Sequence, residues 1–141
     1  MGKYYLNELS VTKLKKFKKE YAKKLLAVAR QDQEGAEILL ASRLKRQEIT
    51  LFNVQQAVEK SLKATLYWQE KPVPLVNSLG IILDRFDIQV PHESKLEELN
   101  QFATIRRHEE GIALFTPEEV QIAIDIAKDV LSFADSIVGK C

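Results

Sequence analysis

Residues 52–66 read FNVQQAVEKSLKATL. Val54, Val58, Leu62 and Leu66 recur four apart, and with Leu51 they form one apolar stripe on a helix of about 3.6 residues per turn. Phe52, Tyr67 and Trp68 widen that stripe, as expected of a helix that touches more than one neighbour. The stretch is therefore the expected central helix of a bundle, running from about Glu48 to Gln69. It also carries Gln55, Gln56, Glu59, Lys60 and Lys63. A core helix must satisfy such groups by hydrogen bonds, by solvent along one edge, or by a partner. Glu59 and Lys63 stand in the favourable order for a helical ion pair, worth ~0.3–0.5 kcal/mol on a surface. One reading is a helix with one wet edge. The other is that Gln56, Glu59 and Lys60 line a groove or a subunit interface.

On the N-terminal side, Ser10 or Thr12 can cap a first helix. Leu14, Phe17, Tyr21, Leu25 and Val28 follow at three- and four-residue spacing with lysines between them, an amphipathic pattern. It continues through Ala29, Ala36, Leu39 and Leu40 to about Arg43. Gly35 costs about 1 kcal/mol against Ala inside a helix, but no Pro or turn cluster accompanies it, so one long helix is expected. Residues 44–48 make a short polar link, and short links join antiparallel neighbours.

On the C-terminal side, Pro72 and Pro74 end the central helix, because a proline disfavours helix in the residue before it. A short third helix is expected over Asn77–Phe86, with Leu79, Ile82, Leu83 and Phe86 as its apolar edge. A fourth is expected over Glu93–Arg107, with Leu96, Leu99, Phe102 and Ala103 facing inward. Thr116-Pro117-Glu118-Glu119 is the clearest helix start: a Thr cap, Pro at the first helical position, and Glu three residues after the cap. The fifth helix runs to about Val138, with Val120, Ile124, Ala127, Leu131, Ala134 and Val138 on one face and Ala123, Ile126, Val130, Phe133 and Ile137 on the next. The expected fold is all-α: an antiparallel up-and-down bundle of about five helices, one domain over residues 1–141, with a basic helical extension at about residues 10–28.

Composition narrows the function classes. Of 141 residues 45% are hydrophobic, enough for a real core. The single Cys, Cys141, cannot staple the fold, and no Cys/His cluster could hold zinc. No stretch approaches a transmembrane helix, and MGKYYLNELS has no apolar run of signal-peptide length, so a soluble cytoplasmic protein is expected. The net charge of +1 conceals a split. Residues 1–30 hold nine Lys and Arg against Glu8 and Glu20, a net of +7. That leaves 12 basic and 18 acidic groups elsewhere, a net of −6. The Lys13–Lys24 segment is either a solvated face that pairs with the acidic body or an arm that meets an anionic partner such as nucleic acid.

Phosphate loops, HExxH, EF-hand and GxSxG patterns are absent from the sequence. Neither His92 nor His108 has Glu three residues before it, so the Glu-x-x-His pairs of bundle di-metal sites are missing and no metal or other cofactor is expected. Arg106, Arg107 and His108 form the densest polar cluster. Two guanidinium groups beside an imidazole can grip phosphate and move a proton. The same residues also suit the carbonyl end of a helix, and Glu109 and Glu110 blunt a phosphate site.

Phe52-x-x-Gln55-Gln56-Ala57-x-Glu59-Lys60-x-x-Lys63-Ala64 resembles the HEPN domain family, small helical proteins often encoded beside minimal nucleotidyltransferases. Ala29-x-x-Asp32-x-x-x-Ala36-x-x-Leu39-Leu40 resembles the family's first helix, and the likeness covers about residues 25–138. It implies a bundle of four or five helices, commonly a homodimer. Some members are metal-independent ribonucleases, often toxins, that use Arg-x(4–6)-His near the fourth and fifth helices. Others lack the pair and serve as nucleotidyltransferase partners or substrate-binding subunits. Here Gly111, Ile112, Ala113 and Leu114 fill the positions where His would follow Arg106 or Arg107, and His108 directly adjoins Arg107. Arg85 and His92 have six residues between them but precede the fourth helix. Where the family often carries His before the third helix, Asn77 stands. The expected function is a non-catalytic module that dimerises and binds a nucleotidyltransferase partner or nucleotide, in the manner of a toxin–antitoxin pair, through Gln56, Glu59, Lys60, Arg106 and Arg107. The alternative is a ribonuclease with a diverged site at Arg106, Arg107 and His108.

Overall fold

The computed structural model describes residues 8–42, 47–75, 78–99 and 115–140, with side chains from residue 13 onward. Among the described residues there are helices and no strands: α1 (Glu8–Ala41), α2 (Gln47–Trp68), α3 (Leu79–Leu83), α4 (residues 93–99) and α5 (Pro117–Ile137). None of these helices is long and apolar enough to cross a membrane.

Contacts fix the directions. Lys19 meets Trp68, Tyr21 meets Tyr67 and Asp32 meets Lys60, so α1 and α2 run antiparallel. Arg30 pairs with Asp135 and Gln33 reaches Ile124, so α5 is also antiparallel to α1 and therefore parallel to α2. His92 touches Asp129 while Leu99 shares a groove with Ile122, which sets α4 antiparallel to α5. This is the up-and-down arrangement the short links call for.

α2 is the central element. Leu51, Val54, Val58, Leu62 and Leu66 are all buried, packed with Leu79 and Ile82 of α3, Leu96 of α4, and Val120, Ile124, Ala127 and Val130 of α5. A second cluster joins Ala22, Leu26 and Ala29 of α1 to Ala64 and Ala134, with Tyr67 and Trp68 at its margin. Phe52 departs from its expected place and lies 40% exposed.

α1 buries a different face from the one its large apolar residues mark. Leu14, Phe17, Tyr21 and Val28 are exposed and Leu25 is half-buried, while Ala22, Leu26, Ala29, Gln33 and Ala36 are buried. At about 100° per residue, the two stripes lie roughly 100° apart around the helix. The inward stripe consists mostly of alanines, which let α1 approach α2 closely. Gly35 belongs to that approach, since a β-carbon there would stand 3.1 Å from the Asn53 amide nitrogen. The glycine therefore serves packing, and α1 passes through it as one 34-residue helix.

α2 stops before the prolines. Lys71 N–H donates to the Leu66 carbonyl and Glu70 N–H to that of Tyr67, both within 3.1 Å. These bonds make a Schellman motif, with Glu70 at φ 58° where glycine is usual. α3 is shorter than expected because Arg85 and Phe86 N–H turn back to Ile82 and Leu83, closing it with tight three-residue turns. α5 begins as its sequence signals: Glu119 N–H donates to Thr116 Oγ1 at 3.1 Å, and Thr116 N–H donates to Glu119 Oε1 at 2.9 Å.

Candidate functional site

The polar residues of α2 divide between two surroundings. Lys60 turns to α1, where its ammonium donates to Asp32 Oδ2 at 2.7 Å. Asp32 and Lys60 come from the two stretches that look most alike to known helices of this type, and the fold brings them together. Gln56 lies half-buried one turn before Lys60. About 100° around the helix, Glu59 is buried, with 6% of its surface exposed. Its Oε1 accepts from Lys63 Nζ at 3.1 Å, while its Oε2 is buried without a hydrogen-bond partner. Gln55 is buried beside it. The wet-edge reading thus holds for Lys60 and Gln56, and Glu59 is a core carboxylate.

A buried carboxylate with one oxygen unmatched is costly, since desolvation is uncompensated there. Chemically, Glu59 Oε2 is an acceptor held in a low-dielectric setting beside a lysine. It can take a hydrogen bond from a donor that reaches it.

A second polar feature was not legible beforehand. Gln33 sits among the alanines of α1's inward face and donates from Nε2 to the Ile124 carbonyl of α5 at 3.2 Å. Its Oε1 has no hydrogen-bond partner. The 4-3-4-3 spacing of Ala22, Leu26, Ala29, Gln33 and Ala36 was the available signal for its burial.

His92 is separated from these groups. His92 Nε2 lies 2.8 Å from Asp129 Oδ2 at the exposed seam of α4 and α5. Arg85, with six residues between it and His92, is exposed after α3. Arg106, Arg107 and His108 lie outside the described residues, as does Asn77. Near the described end of α4, Leu51, Leu99, Phe115, Ile122, Ala123 and Ile126 line an open apolar groove. Among the described residues no three His, Cys, Asp or Glu side chains gather as metal ligands would.

Tyr67 lies at the α1–α2 contact. Burial, and secondarily the neighbouring Tyr21 phenol, push its hydroxyl above the ordinary tyrosine range. The Tyr21 and Tyr67 rings meet edge to face at 5.0 Å between centroids.

A family model described as the HEPN domain matches residues 22–137. The match begins at Ala22, the first residue of α1's buried stripe, and leaves the earlier part of α1 outside it. No curated protein and no solved structure matches the chain.

Proposed function

The chain belongs to the HEPN domain family, a group of nucleotide- and RNA-related helical modules, and from that membership we infer that it acts as a non-catalytic binding module. It dimerises and engages a nucleotidyltransferase-domain partner or nucleotide, within a toxin–antitoxin-type pair. Gln56, Glu59, Lys60, Arg106 and Arg107 make the contact. The observation that carries this reading is the placement of the two histidines. His108 directly follows Arg107, and His92 is engaged by Asp129 at the start of α4. Neither follows Arg106 or Arg107 with four to six residues between, so the couple that would bind phosphate and act as general base is missing. Gln56 and Lys60, half-buried on the solvent edge of α2, are the members of this set in the described residues that a partner or nucleotide reaches directly.

The test is RNA degradation in EDTA by the native chain and by His108→Ala. Intact RNA with both is expected. EDTA-insensitive cleavage that disappears in His108→Ala would overturn the reading in favour of a metal-independent ribonuclease built on Arg106, Arg107 and His108. Calorimetric titration with ATP then examines the ligand side: Arg107→Glu should weaken binding while leaving helicity unchanged, and equal affinity removes Arg107 from the contact. Sedimentation equilibrium should give about twice the 16.1 kDa chain mass; a monomer mass at all concentrations removes dimerisation.

A further inference from the structure

The N-terminal half of α1 has a surface that the family match does not account for. Lys19 contacts Trp68, the last residue of α2, so residues 8–18 run on past the end of α2 by about 16 Å at 1.5 Å per residue. Between Lys13 and Lys24 there are seven lysines and one acid, Glu20. Among the described residues no carboxylate lies within ion-pair distance of any of the seven; Asp135, Asp32, Glu59, Asp87 and Asp129 pair with Arg30, Lys60, Lys63, Lys71 and His92. The solvated-face reading required pairing with the acidic body, and the described residues do not show it. Lys15–Lys19 and Lys19–Lys23 are like charges one turn apart, a mutual repulsion along this face.

Aromatic rings stand among these lysines. Phe17 is 62% exposed and Tyr21 39% exposed. Their rings are parallel within 8°, with centroids 6.1 Å apart. Lys19 and Lys23 already lie over the face of Trp68, at 4.2 and 5.6 Å from its centroid.

We propose that the N-terminal half of α1 binds single-stranded nucleic acid, its lysines along the phosphates and Phe17 and Tyr21 beneath the bases. Charge complementarity selects a polyanion. Exposed parallel rings select one with flat unpaired faces, the combination that single-strand binders use. The lysines, stepped at about 100° per residue, fill roughly 240° of the helix, and Lys18 and Lys24 border the Leu14–Phe17–Tyr21 stripe, so charge able to meet phosphates adjoins both sides of the exposed rings. A second copy of the arm would bring lysines against lysines. The surface is remote in sequence from Arg106, Arg107 and His108, and its role does not depend on whether those residues cleave RNA.

The experiment is fluorescence anisotropy of a labelled deoxythymidine oligomer of about ten nucleotides, within the range of single-strand site sizes. DNA lacks the 2′-hydroxyl that metal-free RNA cleavage uses as its nucleophile, so binding is read apart from any nuclease activity. The full chain should bind at low salt, with affinity falling steeply as salt rises. Replacing Lys15, Lys16 and Lys18 together by Gln should reduce the log–log salt slope by about 2, three phosphate contacts at roughly 0.7 each. Phe17→Ala should weaken binding about ten-fold and leave the slope unchanged, with Phe17→Tyr retaining affinity. Circular dichroism checks that each variant stays helical. Binding that is absent at low salt, or unchanged in both the lysine and Phe17→Ala variants, overturns the proposal. So does tighter association with phosphatidylserine vesicles than with the oligomer, which assigns the arm to membranes.

Discussion

Lys60 of α2 and Asp32 of α1 are joined at 2.7 Å with only 25% and 22% of their side-chain surfaces exposed. The pair is intermediate between an exposed ion pair, worth under about 1 kcal/mol, and a buried one, whose breakage costs about 3–5 kcal/mol. Lys60→Met should therefore destabilise the protein by about 1–2 kcal/mol in urea denaturation, with Asp32→Asn doing the same. The double variant should lose little more than either single one. Strict additivity of the two losses would mean the pair contributes no coupling.

Gly35 and Asn53 set up a second test. Gly35→Ala brings a helix-propensity gain of about 1 kcal/mol, but the new β-carbon meets the Asn53 amide at 3.1 Å. The single substitution should leave stability nearly unchanged. In an Asn53→Ala background the full gain should emerge, and a melting temperature equal in the two backgrounds would show that the amide does not limit the site.

Glu70 holds a left-handed conformation, φ 58°, at the Schellman position closing α2. A residue with a β-carbon loses roughly 1 kcal/mol or more there relative to glycine. Glu70→Gly should stabilise the protein by about 1 kcal/mol, whereas Glu70→Val should destabilise it. Destabilisation by glycine would point to a contact of the Glu70 side chain that outweighs its backbone strain.

Thr116 and Glu119 satisfy each other's backbone N–H groups at the start of α5. Thr116→Ala should cost about 1 kcal/mol, and Thr116→Ser should restore most of it. Hydrogen exchange at Glu119 reads the same event locally, so unaltered protection there in Thr116→Ala would argue against the cap.

Tyr67 supplies the pH dependence. Its hydroxyl is raised above the ordinary tyrosine range in the folded chain, chiefly by burial. The folded state therefore holds its proton more tightly than the unfolded state. The associated stability is present below the unfolded tyrosine value and is lost as pH rises through the higher folded one. Ultraviolet titration should show one tyrosine ionising late, and Tyr67→Phe should remove that step. Persistence of the step in Tyr67→Phe assigns it to another tyrosine.

Large aliphatic residues at regular spacing made α2 and α5 readable, because their stripes are what the core takes in. The α5 start was equally plain, since a capping box is written in four consecutive residues. α1 was readable as a helix but not in its orientation. Leu14, Phe17, Tyr21 and Val28 are larger apolar or aromatic side chains than the alanines, yet the close approach to α2 admits Ala22, Ala29 and Ala36. Size decided the contact there, and the neighbour's shape has no local signature. The same holds for Asp32 and Lys60: each lay in a conspicuous stretch, but nothing in either stretch names the other as its partner. Pro72 and Pro74 announced the end of α2, but not its Schellman closure, because Glu70 occupies a position that glycine would have marked. Of the candidate site, Gln56, Glu59 and Lys60 were rightly grouped on one helix, but only the packing shows Glu59 buried and Lys60 tied to α1.

Arg30 and Asp135 stand 105 residues apart along the chain. That separation is also an interval of time. At about 5–20 residues per second of synthesis, the aspartate follows the arginine from the ribosome by roughly 5–20 s. From the completion of Trp68 onward, the α1–α2 hairpin is without the wall that α5 supplies, and Gln33 waits for the Ile124 carbonyl that will receive its amide. The nascent chain thus passes through a stage in which two helices have met and the surface meant for the last is still uncovered.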